Sequence, residues 1–182
     1  MIFTETPLAG AFVIAPELLE DARGFFARTW CGREFEARGL VTRVAQCSTS
    51  FNKKKGTLRG MHYQVPPFAE TKIVRCVRGS MYDAIVDLRR GSPTFTRHFA
   101  VVLAAENRTM LYVPAGFAHG FQTLEDDTEV FYQISEFYSP AHARGVRWDD
   151  PVFGIPWPAD ERTIVERDRT YPDFRPAIAT DP

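Results

Sequence analysis

A chain of 182 residues with 22 Lys plus Arg against 23 Asp plus Glu has a formal net charge of −1, which excludes the clustered basic excess that nucleic acid or an anionic membrane would require. The length suits a single domain spanning residues 1–182, long enough to bury a core. Three widely spaced cysteines, Cys31, Cys47 and Cys76, form no CxxC pair for zinc or redox work, the start Met1-Ile2-Phe3-Thr4-Glu5 lacks the pattern of a signal peptide, and no apolar run approaches the ~18 residues of a membrane span, so the expectation is a soluble, cytoplasmic protein.

Thirteen prolines and twelve glycines punctuate the chain, and the short segments between them are enriched in Val, Ile, Phe, Tyr and Thr, which reads as all-β. In chain order the first strand is Gly10 to Ile14. Gly32 to Arg38 predicts one or two helical turns, stopped by Gly39. A strand over Arg43 to Thr49 follows, then the basic run Lys53-Lys54-Lys55, read as a solvated loop, then a strand over Thr57 to Gln64. Lys72 to Arg78 and Met81 to Arg89 flank Gly79-Ser80 and predict a two-residue hairpin that sets Arg78 opposite Met81 and Lys72 opposite Asp87. In the second arm Tyr82, Ala84, Val86 and Leu88 form an apolar face, while Met81, Asp83, Ile85 and Asp87 form a mixed face fit to line a site. Further strands are expected at Arg97 to Leu103, Thr109 to Val113, Gly120 to Leu124 and Glu129 to Glu136, a spacing typical of a sandwich or barrel. From Pro140 onward, Pro151, Pro156, Pro158, Pro172 and Pro176 predict an irregular segment that wraps the barrel or a neighbouring subunit.

Two of the four histidines, His62 and His119, sit in apolar, Gly-rich strand-like settings, and histidine exchanges protons near neutral pH without special tuning. His62 alone is more often a core residue than a base. Arg59, three residues earlier, shifts that balance, because a guanidinium has no reason to enter an apolar core and suits a phosphate or carbonyl oxygen. Strict alternation puts Arg59 and His62 on opposite faces, so both reach one site only if Gly60 bulges the strand. A neutral imidazole can remove a proton next to a carbonyl if a carboxylate holds its other nitrogen and a cation, such as Lys72, receives the charge on oxygen. An epimerisation also needs an acid on the opposite face. Tyr132 in Val130-Phe131-Tyr132-Gln133-Ile134 is a candidate, although a tyrosine among apolar neighbours is usually core. The Pro-x-Gly-x-x-His spacing from Pro114 to His119 suggests a cupin half-motif. Its companion would offer a second histidine two positions after His62, where this chain has Gln64, and the nearest acid is Glu70. With only His62 and His119 as good ligands, no metal is expected.

Taken together, Asp21 to Phe26, Leu58 to Gln64, Lys72, Asp83 to Arg89, Ser92 to Phe95, Tyr112 to Phe121, Tyr132, Tyr138, Trp148 to Pro151 and Asp168 resemble the dTDP-4-dehydrorhamnose 3,5-epimerase family of sugar nucleotide epimerases. The resemblance implies an all-β cupin jelly-roll barrel with short helical turns, a homodimer exchanging N-terminal strands, and no metal or organic cofactor. It also implies that His62 is the general base held by Asp168, that Tyr132 is the opposing acid and that Lys72 stabilises the C4 enolate. Arg23, Phe26, Gln46, Ser48, Arg59, His119 and Tyr138 would bind the nucleotide sugar, with Tyr138 stacking on the base. Three departures border the ligand. Ser48 stands where many members have Asn, and Arg28 and Ala143 replace glutamates. A 3- or 5-monoepimerase of a related deoxysugar therefore stays an alternative, beside a metal-dependent cupin enzyme and a non-catalytic sugar-binding cupin.

Overall fold

The structure, a computed structural model, describes residues 1–158 and 161–175. Its strands are β1 (Ile2–Glu5), β2 (Phe12–Ala15), β3 (Leu18–Asp21) and β4 (Gly24–Ala27), then, after helix α1 (Gly32–Glu36), β5 (Gln46–Asn52), β6 (Leu58–Gln64), β7 (Lys72–Arg78), β8 (Ser80–Asp87), β9 (His98–Ala104), β10 (Met110–Val113), β11 (Phe117–Thr123), β12 (Thr128–Ile134) and β13 (Ala143–Gly145), with a last helical turn α2 (Glu166–Arg169). A six-stranded sheet in the order β1-β2-β10-β7-β12-β5 faces a five-stranded sheet in the order β13-β6-β11-β8-β9, while β3 and β4 pair only with each other. From β5 to β8, and again from β10 to β13, consecutive strands alternate between the two sheets. That alternation is the jelly-roll barrel of the cupins.

Period-two patterning explains the layers. Val74 and Cys76 of β7, Leu111 and Val113 of β10 and Val130 of β12 meet Met81, Ile85, Leu103, Phe117 and Phe121 of the opposing sheet in the central core. The other face of β8 carries Ala84 and Val86, which pack with Met61 and Ala118 under Val146 and Phe153, with Trp157 and Phe174 at the margin. The proline-rich C-terminal segment thus wraps the outside of the five-stranded sheet, as its sequence predicted; Pro176 lies outside the described residues. It is pinned by polar contacts: His98 Nδ1 meets the Phe153 carbonyl at 2.7 Å, and the Phe174 N–H donates to Asp150 Oδ2 at 2.6 Å. On the six-stranded side α1 seats Phe35 against Ile14, Ile73, Met110 and Tyr112.

One expectation needs correction. Residues 72–89 are not a hairpin: β7 pairs with β10 and β12, and β8 pairs with β11 and β9. Lys72 lies opposite Val113 and Ile134, and Asp87 opposite Phe117. Gly79, at φ +72°, turns the chain from one sheet to the other, close against Thr128 where a Cβ would meet Oγ1 at 2.6 Å. Both arms are largely buried and find partners elsewhere, so a sheet-to-sheet corner serves them better than mutual pairing. The short strands β1, β3, β4 and β13 carried too few residues to stand out from the surrounding turns. The remaining strands lie within a few residues of expectation.

Candidate active site

The mouth of the barrel holds a cleft of about 1390 Å³ lined by residues of both sheets and of the segment around α2. β6 supplies its central groups through an irregularity. His62 lies opposite His119, but Arg59 lies opposite Phe121, so three residue steps on β6 match two on β11. The extra residue is a bulge at Gly60, whose φ of +135° favours glycine, and a Cβ there would sit 2.5 Å from Gly120 Cα. The bulge reverses the alternation, so Arg59 and His62 both line the cleft while Met61 points into the outer apolar cluster.

His62 Nε2 stands 2.8 Å from Asp168 Oδ1. The chain reaches this contact because the segment before α2 runs beside β6, with Leu58 N–H donating to the Thr163 carbonyl at 2.9 Å and Thr57 bridging Thr163. Asp168 is only 2% exposed. It also accepts the Gly60 N–H at 3.2 Å and Arg167 Nε at 3.2 Å. Burial pushes its carboxyl up, but the hydrogen bond and charge of His62, the Gly60 amide and Arg167 outweigh burial and hold it below the usual carboxylate value. An anionic Asp168 accepting from Nε2–H leaves Nδ1 as the basic nitrogen of a neutral His62.

Tyr132 comes from the opposite sheet. It lies between Ser48 of β5 and Val74 of β7, and its phenol is 3.2 Å from Ser50 Oγ. Burial drives its ionisation far above the ordinary phenol value, so it stays protonated. Its ring stands edge-on to His119 at 6.4 Å between centroids. His119 Nε2 meets Asp83 Oδ1 at 2.6 Å, and Asp83 is the fully buried acid of the mixed face of β8. Lys72 Nζ donates to Glu70 Oε1 at 2.8 Å and to the His62 carbonyl at 3.4 Å. Arg59 Nε donates to Asn52 Oδ1 at 2.7 Å, a neutral partner that leaves the guanidinium charge for a ligand. Gln46 and Ser48 line the same wall, and Gln46 Oε1 accepts the N–H of Tyr138, which stands at the mouth.

The cleft thus gathers His62, Asp168, Tyr132, Lys72, Gln46, Ser48, Arg59, His119 and Tyr138. It does not include Arg23 and Phe26. Those two lie on the β3–β4 hairpin, where Arg23 pairs with Asp21 at 2.6 Å and Phe26 is 68% exposed. Sequence reasoning missed Asn52, Ser50, Arg167, Arg144 and Tyr171 in or behind the cleft walls. Tyr171 shows why. Its ring fills the space where a Cβ on Gly145 would lie, a contact across 26 positions that leaves no local pattern. Among the described residues no three His, Cys, Asp or Glu side chains converge as metal ligands, and no helix is long and apolar enough to cross a membrane. Chemically, the cleft offers a carboxylate-held imidazole, a protonated phenol facing it from the other sheet, an ammonium, and two further guanidinium groups in Arg144 and Arg167 for an anionic ligand.

The chain is similar to known proteins over most of its length. Residues 5–176 match the family model described as dTDP-4-dehydrorhamnose 3,5-epimerase. The chain is 40% identical over 175 residues to the dTDP-4-dehydrorhamnose 3,5-epimerase of Sinorhizobium fredii, covering 96% of this chain and 90% of that one. Its fold is similar to the crystal structure of the dTDP-4-dehydrorhamnose 3,5-epimerase from Bacillus anthracis with TDP and PPi bound, with a TM-score of 0.91, 39% identity and coverage of 95% and 99%. It is also similar to ChmJ, a 3'-monoepimerase from Streptomyces bikiniensis in complex with dTDP-quinovose, with a TM-score of 0.86, 37% identity and coverage of 96% and 87%.

Proposed function

This chain belongs to the dTDP-4-dehydrorhamnose 3,5-epimerase family of isomerases, and we propose that it epimerises a dTDP-linked 4-keto-6-deoxy sugar at C3 and C5 with the groups of this cleft. The C4 carbonyl acidifies both neighbouring C–H bonds, so the reaction needs a base, an opposed acid and a group that stabilises the enolate. His62, oriented by Asp168, takes the proton through Nδ1. Lys72 receives the negative charge that develops on O4. Tyr132 returns a proton from the other face, and its raised ionisation keeps that proton in place until a carbanion demands it. Positioned acids and bases of this kind contribute roughly 10²- to 10⁴-fold each. Arg59 and His119 hold the diphosphate and sugar, while Gln46, Ser48 and Tyr138 meet the nucleoside.

The single observation that carries this reading is the opposition itself. His62 on the five-stranded sheet and Tyr132 on the six-stranded sheet face one cleft from opposite sides, as inversion at carbon requires and mere sugar binding does not.

Arg23 and Phe26 enter the same reading through a second copy of the chain. Among the described residues the β3–β4 hairpin pairs with no other strand, and it exposes Leu19, Phe25 and Phe26, an apolar arm suited to reach a neighbouring subunit's cleft. The working unit on this reading is therefore a homodimer. Sedimentation at micromolar concentration tests the dimer, and a monomer that binds dTDP fully would overturn the arm's role.

The activity is tested by incubating the protein in deuterated water with dTDP-, CDP- and GDP-linked 4-keto-6-deoxy sugars and counting carbon-bound deuterium by mass spectrometry. Two deuterons in the dTDP sugar are expected. One deuteron assigns a monoepimerase, the alternative favoured by the similarity to ChmJ. No incorporation into any of the sugars overturns the reading.

A further inference from the structure

Glu70 lines the cleft beside Lys72 and has no part in the reaction as described so far. The ion pair is almost fully enclosed, with the Lys72 and Glu70 side chains 11% and 9% exposed. The second oxygen of Glu70 is also fixed, because Gln64 Nε2 donates to Oε2 at 2.7 Å. Gln64 in turn has no freedom. Its amide nitrogen faces the carbonyls of Phe68 at 3.0 Å and Phe137 at 3.1 Å, and its oxygen accepts the Ser139 N–H at 2.6 Å. Turning the amide over would put its oxygen against three acceptors and its NH₂ against a donor, so only one orientation satisfies the site. A rigid line therefore runs from the Ser139 backbone through Gln64 and Glu70 to the Lys72 ammonium. That ammonium has three hydrogens. One goes to Glu70 and one to the His62 carbonyl, which leaves the third for the cleft.

We propose that Glu70 is the positioning residue for Lys72, holding the ammonium so that its remaining N–H meets the oxygen on which the enolate charge develops. The inference rests on the epimerase reading of this cleft and extends it to a residue that acts only through another. Gln64, at the position where a metal-binding cupin presents a second histidine, serves as the bracket of this arrangement, with both hydrogens of its NH₂ committed.

The test compares the parent protein, Glu70→Ala, Lys72→Ala and the double variant, reading deuterium wash-in on the dTDP-4-keto-6-deoxy sugar, dTDP binding by calorimetry and thermal melting. The expected result for Glu70→Ala is a kcat lowered about 30-fold or more, with the Kd for dTDP within about threefold of the parent. Glu70 acts through Lys72, so the double variant should be no slower than Lys72→Ala alone. Glu70→Gln, of equal size, should also be slow, because its NH₂ cannot accept from Gln64 or Lys72; it replaces the alanine variant if truncation prevents folding. A kcat within threefold of the parent in both Glu70 variants overturns the proposal, as does a double variant slower than Lys72→Ala by the full factor of Glu70→Ala. Absence of wash-in in the parent itself overturns the epimerase reading, and with it this one. Normal wash-in in the parent and in both Glu70 variants overturns the positioning role alone.

Discussion

Replacing Asp168 by Asn removes one charge and keeps the shape of the contact that orients His62. The amide oxygen can still accept the imidazole N–H in the place of Oδ1, 2.8 Å away, while the NH₂ that replaces Oδ2 gives up the Gly60 N–H contact at 3.2 Å. Also lost is the attraction between the carboxylate and the imidazolium that forms when His62 takes the substrate proton. A pair of unit charges at ~4 Å is worth about 4 kcal/mol at an effective dielectric near 20. Asp168 is buried, but the His62 side chain is 33% exposed, so solvent screening lowers the figure to about 2–4 kcal/mol. At roughly 1.4 kcal/mol per factor of ten, kcat for deuterium wash-in should fall about 30- to 1000-fold, with KM within about threefold. The stability consequence has a definite sign. Asp168 titrates below its unfolded value, so its contribution is complete above that value and is lost as pH falls through the folded one. Parent and variant should therefore differ most in urea unfolding at pH 7 and converge only as the pH falls below the ordinary carboxylate range. A folded Asp168→Asn protein with kcat within threefold of the parent would refute the claim that the carboxylate stabilises the charged base.

Three other perturbations address the acid, the bulge and the frame. Tyr132→Phe should lower formation of the inverted sugar by about 10²- to 10³-fold while His62 still washes deuterium into the unconverted substrate; NMR of the recovered sugar distinguishes the two, and loss of wash-in in parallel with inversion would count against Tyr132 as the acid. Gly60→Ala places a Cβ 2.5 Å from Gly120 Cα at φ +135°; about 3 kcal/mol of stability should be lost, lowering Tm by roughly 6–12 °C, and calorimetry showing a change below 2 °C would contradict the tight approach of the two backbones. Asp87 is buried, and burial raises its carboxyl, but Arg89, Ser92 and Thr94 hold it at about 2 against an ordinary 3.8. Its folded value is depressed, so the stabilisation, about 2 kcal/mol, is fully present above pH ~4 and fades as pH drops toward 2. Asp87→Asn should accordingly flatten the fall in stability between pH 4 and 2 in urea titrations, and an unchanged profile would contradict the assignment.

The strand content and most of the cleft were legible because they rest on local pattern. Period-two alternation placed β6, β9, β10, β11 and β12 within a few residues, and the rarity of histidine drew attention to His62 and His119. The demand that Arg59 and His62 share one pocket exposed the bulge at Gly60, since alternation forbade it otherwise. The same reasoning failed at Gly79. A glycine between two β-rich runs signals a reversal of the chain, but whether the arms then pair depends on what else competes for their edges. Here β10 and β12 claim β7, and β9 and β11 claim β8.

That difference explains which site residues sequence reasoning reached without help. His62 and Arg59 lie on one strand, and their spacing carries information about a shared face. Asp168 meets His62 across 106 residues of chain, and Tyr171 reaches the same imidazole over a similar span. No periodicity encodes the pairings of Asp168 and Tyr171 with His62; they follow only once the C-terminal segment is laid along β6 by the Thr57–Thr163 bridge. Glu70 illustrates the same limit at short range. It lies two residues from Lys72, and its ion pair is plausible from spacing alone, but its restraint arises from Gln64, whose orientation is decided by backbone groups of Phe68, Phe137 and Ser139. The direction of the ammonium is thus set by the Glu70 carboxylate, whose own place is fixed through Gln64 by uncharged backbone groups that show no motif.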